Sequence, residues 1–301
     1  MALITCSRCG HEISDNVNYC PHCGKKVKKN FFTKTRVVMG IIGLVAIVAI
    51  ILSVYSLYLL QTKTSYKVED AKDEATTVKD IDGNVYKIVK IGNQVWMAEN
   101  LRTTHYANGE SIPLGTNHSN EMPYRYVPAG NNSNVCDHGY LYNWPAVMHG
   151  SRSSRRNPSG VQGICPDGWH VPSDAEWTEL TDYVGSRSEY SCCGNDNYIA
   201  KALSATKGWK TAKEEEWAWS NDTCMVGNDQ YTNNSTGFSA LPSGNHIGEW
   251  YCNFGSHAFF WSTTKSRENK VYYRDIGYEY VLMVRDEDFQ FVGYSVRCVR
   301  D

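Results

Sequence analysis

The sequence has no surplus of charge of either sign: 30 Lys and Arg stand against 32 Asp and Glu over 301 residues, a net charge of −2. Without a basic surplus there is no electrostatic footprint for nucleic acid, and no nucleic-acid partner is expected. Cysteine is too sparse for a disulfide scaffold, since eleven in 301 residues falls well short of the roughly 8–10% such frameworks show. Eleven is also odd, so either a thiol stays free or the cysteines serve several purposes. Catalytic signatures are missing too. Beyond residue 60 there is no H-E-x-x-H, G-x-S-x-G, P-loop or glycine-rich dinucleotide pattern, and no enzyme is expected. Apolar residues at 42% and aromatics at 12% exclude a wholly disordered chain.

One absence is local. Residues 37–60 hold no charge and no Asn, Gln or Pro. As a helix rising ~1.5 Å per residue, this run spans roughly 36 Å, enough for a ~30 Å hydrocarbon core. It exceeds a signal-peptide h-region and no A-x-A site follows it, so a transmembrane helix is expected rather than a cleaved leader. Lys25, Lys26, Lys28, Lys29, Lys34 and Arg36 crowd its N-terminal flank. Positive-inside bias then leaves residues 1–36 in the cytosol and exports the rest. The near-neutral total is a cancellation between seven basic and two acidic residues before the run, and 23 and 30 after it. The expected organisation is a metal-binding head at 1–27, a basic juxtamembrane segment at 28–36, the transmembrane helix at 37–60, a polar stalk at 61–78 and an exported domain at 79–301.

The head carries Cys6-x-x-Cys9-Gly10 and Cys20-x-x-Cys23-Gly24. Two residues between thiolates let both sulfurs reach one ion at ~2.3 Å, and two such knuckles complete a tetrahedral set without an open position. Structural zinc held by Cys6, Cys9, Cys20 and Cys23 is therefore expected, rather than disulfides that a reducing cytosol disfavours. His11 and His22 lie beside a filled shell and are expected to be solvated. The head resembles short zinc ribbons that precede a membrane helix in bacterial proteins.

In the remainder, Val85–Ile91 and Gln94–Met97 alternate around Gly92-Asn93, a hairpin signal. Asp80-Ile-Asp-Gly-Asn84 has its glycine fourth where a calcium loop needs it sixth, so it reads as a turn into a strand. Ser173 and Glu176 form a capping box, and Trp177, Leu180 and Val184 follow as a helical stripe. Shorter helices are expected over 140–149 and 198–205, and strands near 237–241, 258–264, 270–276, 280–285 and 293–299. The class is α+β.

The runs DGNVYKIVKIGNQVWMAENL, GYLYNWPAVM, GICPDGWHVPSDAEW, GFSALPSG, FFWSTT and GYSVRCVRD, in order over residues 79–301, resemble the Fibrobacter succinogenes major paralogous domain. That resemblance implies a C-type-lectin-like or formylglycine-generating-enzyme-like fold and exported, surface-associated bacterial proteins of undefined activity. It also implies a bridge between Cys165 and Cys298, because chain ends meet in such folds. Cys192 or Cys193, with Cys193 preferred, is expected to pair with Cys224, while Cys136 and Cys252 are extras that can pair with each other.

Three functional readings follow. The first is a membrane-tethered binding domain for a glycan or protein ligand, with Trp209, Trp217, Trp219, Trp250 and Tyr251 as stacking candidates. The second is a structural envelope protein without a soluble ligand. The third, and weakest, is an oxidase using the spare thiols Cys136, Cys192 and Cys252 with copper. His246-x-x-Glu249 has ligand types but no third partner, and Trp219-Ser-Asn221-Asp222 lacks the spacing of a lectin calcium motif.

Overall fold

The computed structural model describes residues 3–28, 52–53, 76–211 and 223–300. The chain divides into two units, Met1–Glu74 and Ala75–Asp301. The expected transmembrane helix at 37–60, the basic segment before it and the stalk after it lie almost wholly outside the described residues. Among the described residues, no helix is long and apolar enough to cross a membrane.

In the first unit, strands β1 (Leu3–Thr5) and β2 (Glu12–Ser14) pair antiparallel with Ile4 opposite Ile13. Ile13, Cys6 and Cys20 are its buried hydrophobic residues, with Ile4, Val17 and Val27 packed against them. So few apolar side chains cannot hold a fold unaided, which makes the four cysteines part of the stability and not only of the function.

In the second unit the chain runs through β3 (Thr77–Lys79), β4 (Val85–Ile91), β5 (Gln94–Met97), β6 (Arg125–Tyr126), α1 (Val135–His138), β7 (Leu141–Tyr142) and α2 (Trp144–Met148). It continues through α3 (Asp174–Gly185), α4 (Ala200–Leu203), β8 (Asn245–Ile247), β9 (Trp250–Cys252), β10 (His257–Arg267), β11 (Lys270–Gly277), β12 (Val284–Phe289) and β13 (Val299–Arg300). The class is a sheet-rich α+β. One sheet has the order β13-β5-β4-β3 and a second β10-β11-β12, all neighbours antiparallel. The last strand thus lies beside strands from the start of the unit.

Period-two alternation feeds two cores at once. On β10, Phe259 and Trp261 enter one cluster with Met97, Trp144, Val171 and Tyr294, while Ala258 and Phe260 enter the other with Trp96, Trp177, Leu203 and Phe238. Met97 and Trp96 on β5 divide in the same way, as do Cys298 and Val299 at the end of the chain. Both faces of these strands are therefore buried. This is why the stretch His257–Thr264 reads as nearly continuous apolar and small residues rather than as a clean alternation.

α3 begins as its sequence dictates. Ser173 Oγ accepts from the Glu176 N–H at 3.2 Å, and Glu176 Oε2 accepts from the Ser173 N–H at 2.8 Å. Glu176 is fully buried and does more than cap. Its carboxylate also accepts from the Ser159 N–H at 3.0 Å and bonds His170 Nε2 at 2.5 Å, tying the GICPDGWHVPSDAEW segment into one piece. The Trp177, Leu180 and Val184 stripe enters the second cluster.

Several expected elements form differently. The helix over 140–149 shortens to α2, because Leu141–Tyr142 pairs with β6 and Asn143 caps the turn that follows. No strand forms over 237–241: the Phe238 and Ser239 carbonyls accept from the Arg297 guanidinium instead of from a neighbouring strand. Residues 293–299 touch four partners one at a time, through Gly293–His246, Tyr294–Tyr142, Ser295–Phe260 and Val299–His170, so only β13 forms a ladder there. The strand expected at 280–285 starts later, as β12.

Cys165 and Cys298 are joined, with both residues fully buried. The second bridge corrects an expectation, since Cys224 pairs with Cys192 and not with Cys193. Cys192 is fixed by backbone bonds to Tyr198 and Asn195, whereas Cys193 sits exposed on the turn between them with φ of 55°. Cys136 and Cys252 are unbridged.

Candidate functional site

Each knuckle of the first unit is a tight turn. The Gly10 N–H donates to the Cys6 carbonyl and the Gly24 N–H to the Cys20 carbonyl, both at 2.9 Å, with the glycines at φ 75° and 70°. A side chain at either position would be strained, and the left-handed residue is what turns each second thiol back toward the first. Cys6 Sγ lies 3.7 Å from Cys23 Sγ, and Cys9 Sγ 3.6 Å from Cys20 Sγ. A tetrahedron with ~2.3 Å metal–sulfur bonds has sulfur–sulfur edges of about 3.8 Å, so the cage already has the dimensions of a four-thiolate zinc site. All four sulfurs lie within 4.8 Å of one another.

Electrostatics explain why that cage needs an ion. The backbone N–H groups of Arg8 and Cys9 hold the Cys6 thiol down to about 6. Cys9 is pushed up to about 12 despite the lowering effect of the His11 N–H, because burial and the three neighbouring thiols oppose a second charge. Four thiolates cannot share this space without a dication, and a dication removes the conflict. His11 and His22 are exposed and stack on each other at 4.4 Å outside the cage. This is a structural zinc centre, with every ligand supplied by the protein.

The larger unit sorts its aromatic candidates sharply. Trp209 is buried in the second core cluster. Trp217, Trp219, Asn221 and Asp222 lie outside the described residues. Trp250 and Tyr251, in contrast, are 72% and 42% exposed on the β8–β9 hairpin, with Ile247 and Phe254 exposed beside them. The hairpin is anchored from beneath. Gly130, at φ 66°, brings backbone under the Tyr251 ring so closely that a Cβ there would lie 3.1 Å from it. His246 is buried between Tyr126, stacked at 3.9 Å, and Tyr251, edge-on at 4.9 Å.

Burial, with His118 nearby, pushes the His246 imidazole down to about 4. A neutral ring packed between two tyrosines, with Glu249 exposed on the turn, is a packing element and not half of a metal site. The Asp80–Asn84 segment is likewise satisfied from within. Asp80 accepts from Asn84 and the Tyr86 hydroxyl, and Asp82 from Thr103, Thr104 and His105. Those bonds hold Asp82 down to about 2, burial alone acting the other way, and leave no carboxylate pair turned toward a cation. Cys136, Cys192 and Cys252 do not form one group, and Cys192 is committed to its bridge.

Sequence reasoning missed the residue that organises this unit. Arg297 is fully buried, and its guanidinium donates to Asn100 Oδ1 at 2.7 Å and to the carbonyls of Met97, Phe238 and Ser239 at 2.9, 2.6 and 2.8 Å. It lies over the Phe238 and Phe260 rings, and burial pushes it down to about 9. The only signal was its place in the closing GYSVRCVRD run, where an arginine between apolar residues reads as exposed.

No curated protein and no solved structure matches the chain. Two family models do: a zinc-ribbon domain over residues 5–27, which covers both knuckles, and the Fibrobacter succinogenes major domain over residues 89–300. The second match takes in Arg297, the Glu176 junction and the Cys165–Cys298 bridge, the features that tie the larger unit together, and the chain belongs to the Fibrobacter succinogenes major domain family.

Proposed function

We propose that the protein is a single-pass membrane-anchored binding protein, with the zinc ribbon in the cytosol and a non-catalytic, C-type-lectin-like domain presented outside. The observation that carries the binding role is the exposed apolar group of Ile247, Trp250, Tyr251 and Phe254 on a hairpin held rigid by buried Tyr126 and His246. Exposed aromatics on a stiff support suit a glycan face or a protein surface, because ordering them on binding costs little entropy. The topology rests on redox chemistry as well as on the apolar run. Four thiols in a zinc cage belong to a reducing compartment and two disulfides to an oxidising one, and residues 37–60 lie between them. The lectin-like fold draws support from the pairing of the last strand, β13, with the early strand β5 and from the buried bridge that ties Cys298 beside it to Cys165.

The detergent-solubilised full chain, screened on glycan arrays and against envelope proteins, is expected to retain a ligand. Trp250→Ala should weaken retention about thirtyfold, the effect of losing a hot-spot aromatic, without moving the melting temperature. Silence across both screens would sink the binding reading and favour a purely structural envelope role. A C-terminal alkaline phosphatase fusion should be active in cells, and an inactive one would overturn the topology.

A further inference from the structure

Neighbouring residues in extended chain point their side chains to opposite faces. Cys192 and Cys193 do not. The backbone turns at Cys193, with φ of 55°, and closes through the Asn195 N–H to the Cys192 carbonyl at 3.1 Å. As a result both sulfurs reach one partner. Cys192 is bonded to Cys224, and Cys193 Sγ lies 3.1 Å from Cys224 Sγ and 3.9 Å from Cys192 Sγ. The shared sulfur belongs to a buried residue, while Cys193 is exposed and Cys192 half-buried.

We infer that these three residues form a thiol–disulfide exchange centre in which the bond to Cys224 moves between Cys192 and Cys193. Cys193, as thiolate, is the nucleophile, Cys224 the central sulfur and Cys192 the leaving group. The Cys193–Cys224 bond forms as the Cys192–Cys224 bond breaks. The electron pair leaves on Cys192, which takes up a proton in place of the one Cys193 gave to water. No outside oxidant or reductant is consumed, and the reverse step is the same reaction with the two neighbours exchanged. Cys224 is the nearer electrophile, so exchange there is favoured over a bond between the two neighbours. Displacement at sulfur runs in line, whereas these separations set Cys193 Sγ beside the Cys192–Cys224 bond, so the step requires exposed Cys193 to rotate about its Cα–Cβ bond first. One reactive thiol is thus always displayed at the surface, on either of two adjacent residues, while the buried member stays bonded.

The full chain tests this. Free thiols are trapped by acid quench and alkylation, the bridges are then reduced and labelled with a second reagent, and the peptides are mapped. Both registers start from one disulfide and differ only in the strain of a turn, so their ratio should fall between parity and about a hundredfold. The first label is therefore expected on both Cys192 and Cys193, in complementary amounts. Cys192→Ser should form the Cys193–Cys224 bridge, and Cys193→Ser should fix Cys192–Cys224 with no label on either partner. The Cys165–Cys298 bridge, which takes only the second label throughout, reports intact folding and the absence of general scrambling. First label confined to Cys193 in the parent chain, or a free Cys224 in folded Cys192→Ser, would overturn the inference.

Discussion

Removing the Cys165–Cys298 bridge, as Cys165→Ala with Cys298→Ala, should destabilise the larger unit more than any other change to its covalent structure. The two residues are 133 apart in sequence. Cross-linking so long a loop lowers the entropy of the unfolded chain by an amount worth about 5 kcal/mol at 25 °C in the chain-entropy model. The Cys192–Cys224 bridge, with a separation of 32, is worth about 3.7 kcal/mol on the same relation. A domain's net stability is ~5–15 kcal/mol, so loss of the longer bridge removes a third of it or more. The volume vacated by two fully buried sulfurs adds to the loss. At ~2–4 °C per kcal/mol, the expected fall in melting temperature is roughly 10–20 °C. The readout is tryptophan fluorescence during thermal and urea unfolding, since all nine tryptophans lie in this unit. A fall of less than about 3 °C, or a larger loss on removing Cys192 and Cys224, would refute the loop-entropy reasoning.

Other expectations concern single groups. Chelation of zinc should abolish structure over residues 3–28 while leaving the tryptophan melt of the larger unit in place; a chelator-resistant fold of the ribbon would contradict the metal dependence. Glu176→Ala strands the buried Ser159 and Ser173 N–H groups and removes the capping box, and should cost about 3–5 kcal/mol by urea unfolding. Glu176→Gln, which cannot accept at both oxygens, should recover only part of this. Asp174 accepts from Arg285 and from buried Arg274, and although burial opposes it, these guanidinium groups hold its carboxyl below the ordinary value. Because the folded-state value is the lower one, this stabilisation is complete above about pH 4 and is lost as pH falls through the folded value. Asp174→Asn should therefore cost about 3 kcal/mol at pH 7 and flatten the acid limb of stability against pH. An unchanged acid limb would count against the assignment.

The parts that were legible in the sequence are those set by contacts within a few residues. The cysteine knuckles need only a two-residue spacing and a following glycine, and Ser173 and Glu176 meet because a helix start brings them together whatever lies around it. The β4–β5 hairpin follows from the Gly92-Asn93 turn and the alternation on either side. Strands after residue 236 were harder, because both faces of β10 are buried and period-two alternation vanishes from the sequence. At 237–241 a side chain 58 residues on in sequence, Arg297, takes the carbonyls that a strand partner would have taken. No local pattern records that.

Residue type and spacing by themselves determined the zinc ligands, the helix start, the leading hairpin and the family, because each depends on short-range geometry or on motifs in fixed order. Only the tertiary structure decided which tryptophans fill the cores and which stand exposed, since Trp209 and Trp250 have the same chemistry and differ in what folds over them. It also decided which of two adjacent cysteines is bonded to Cys224, against the expected Cys193. The choice falls to Cys192 because backbone bonds to Tyr198 and Asn195 fix it while Cys193 takes the turn, and a vicinal pair in sequence carries no trace of that difference.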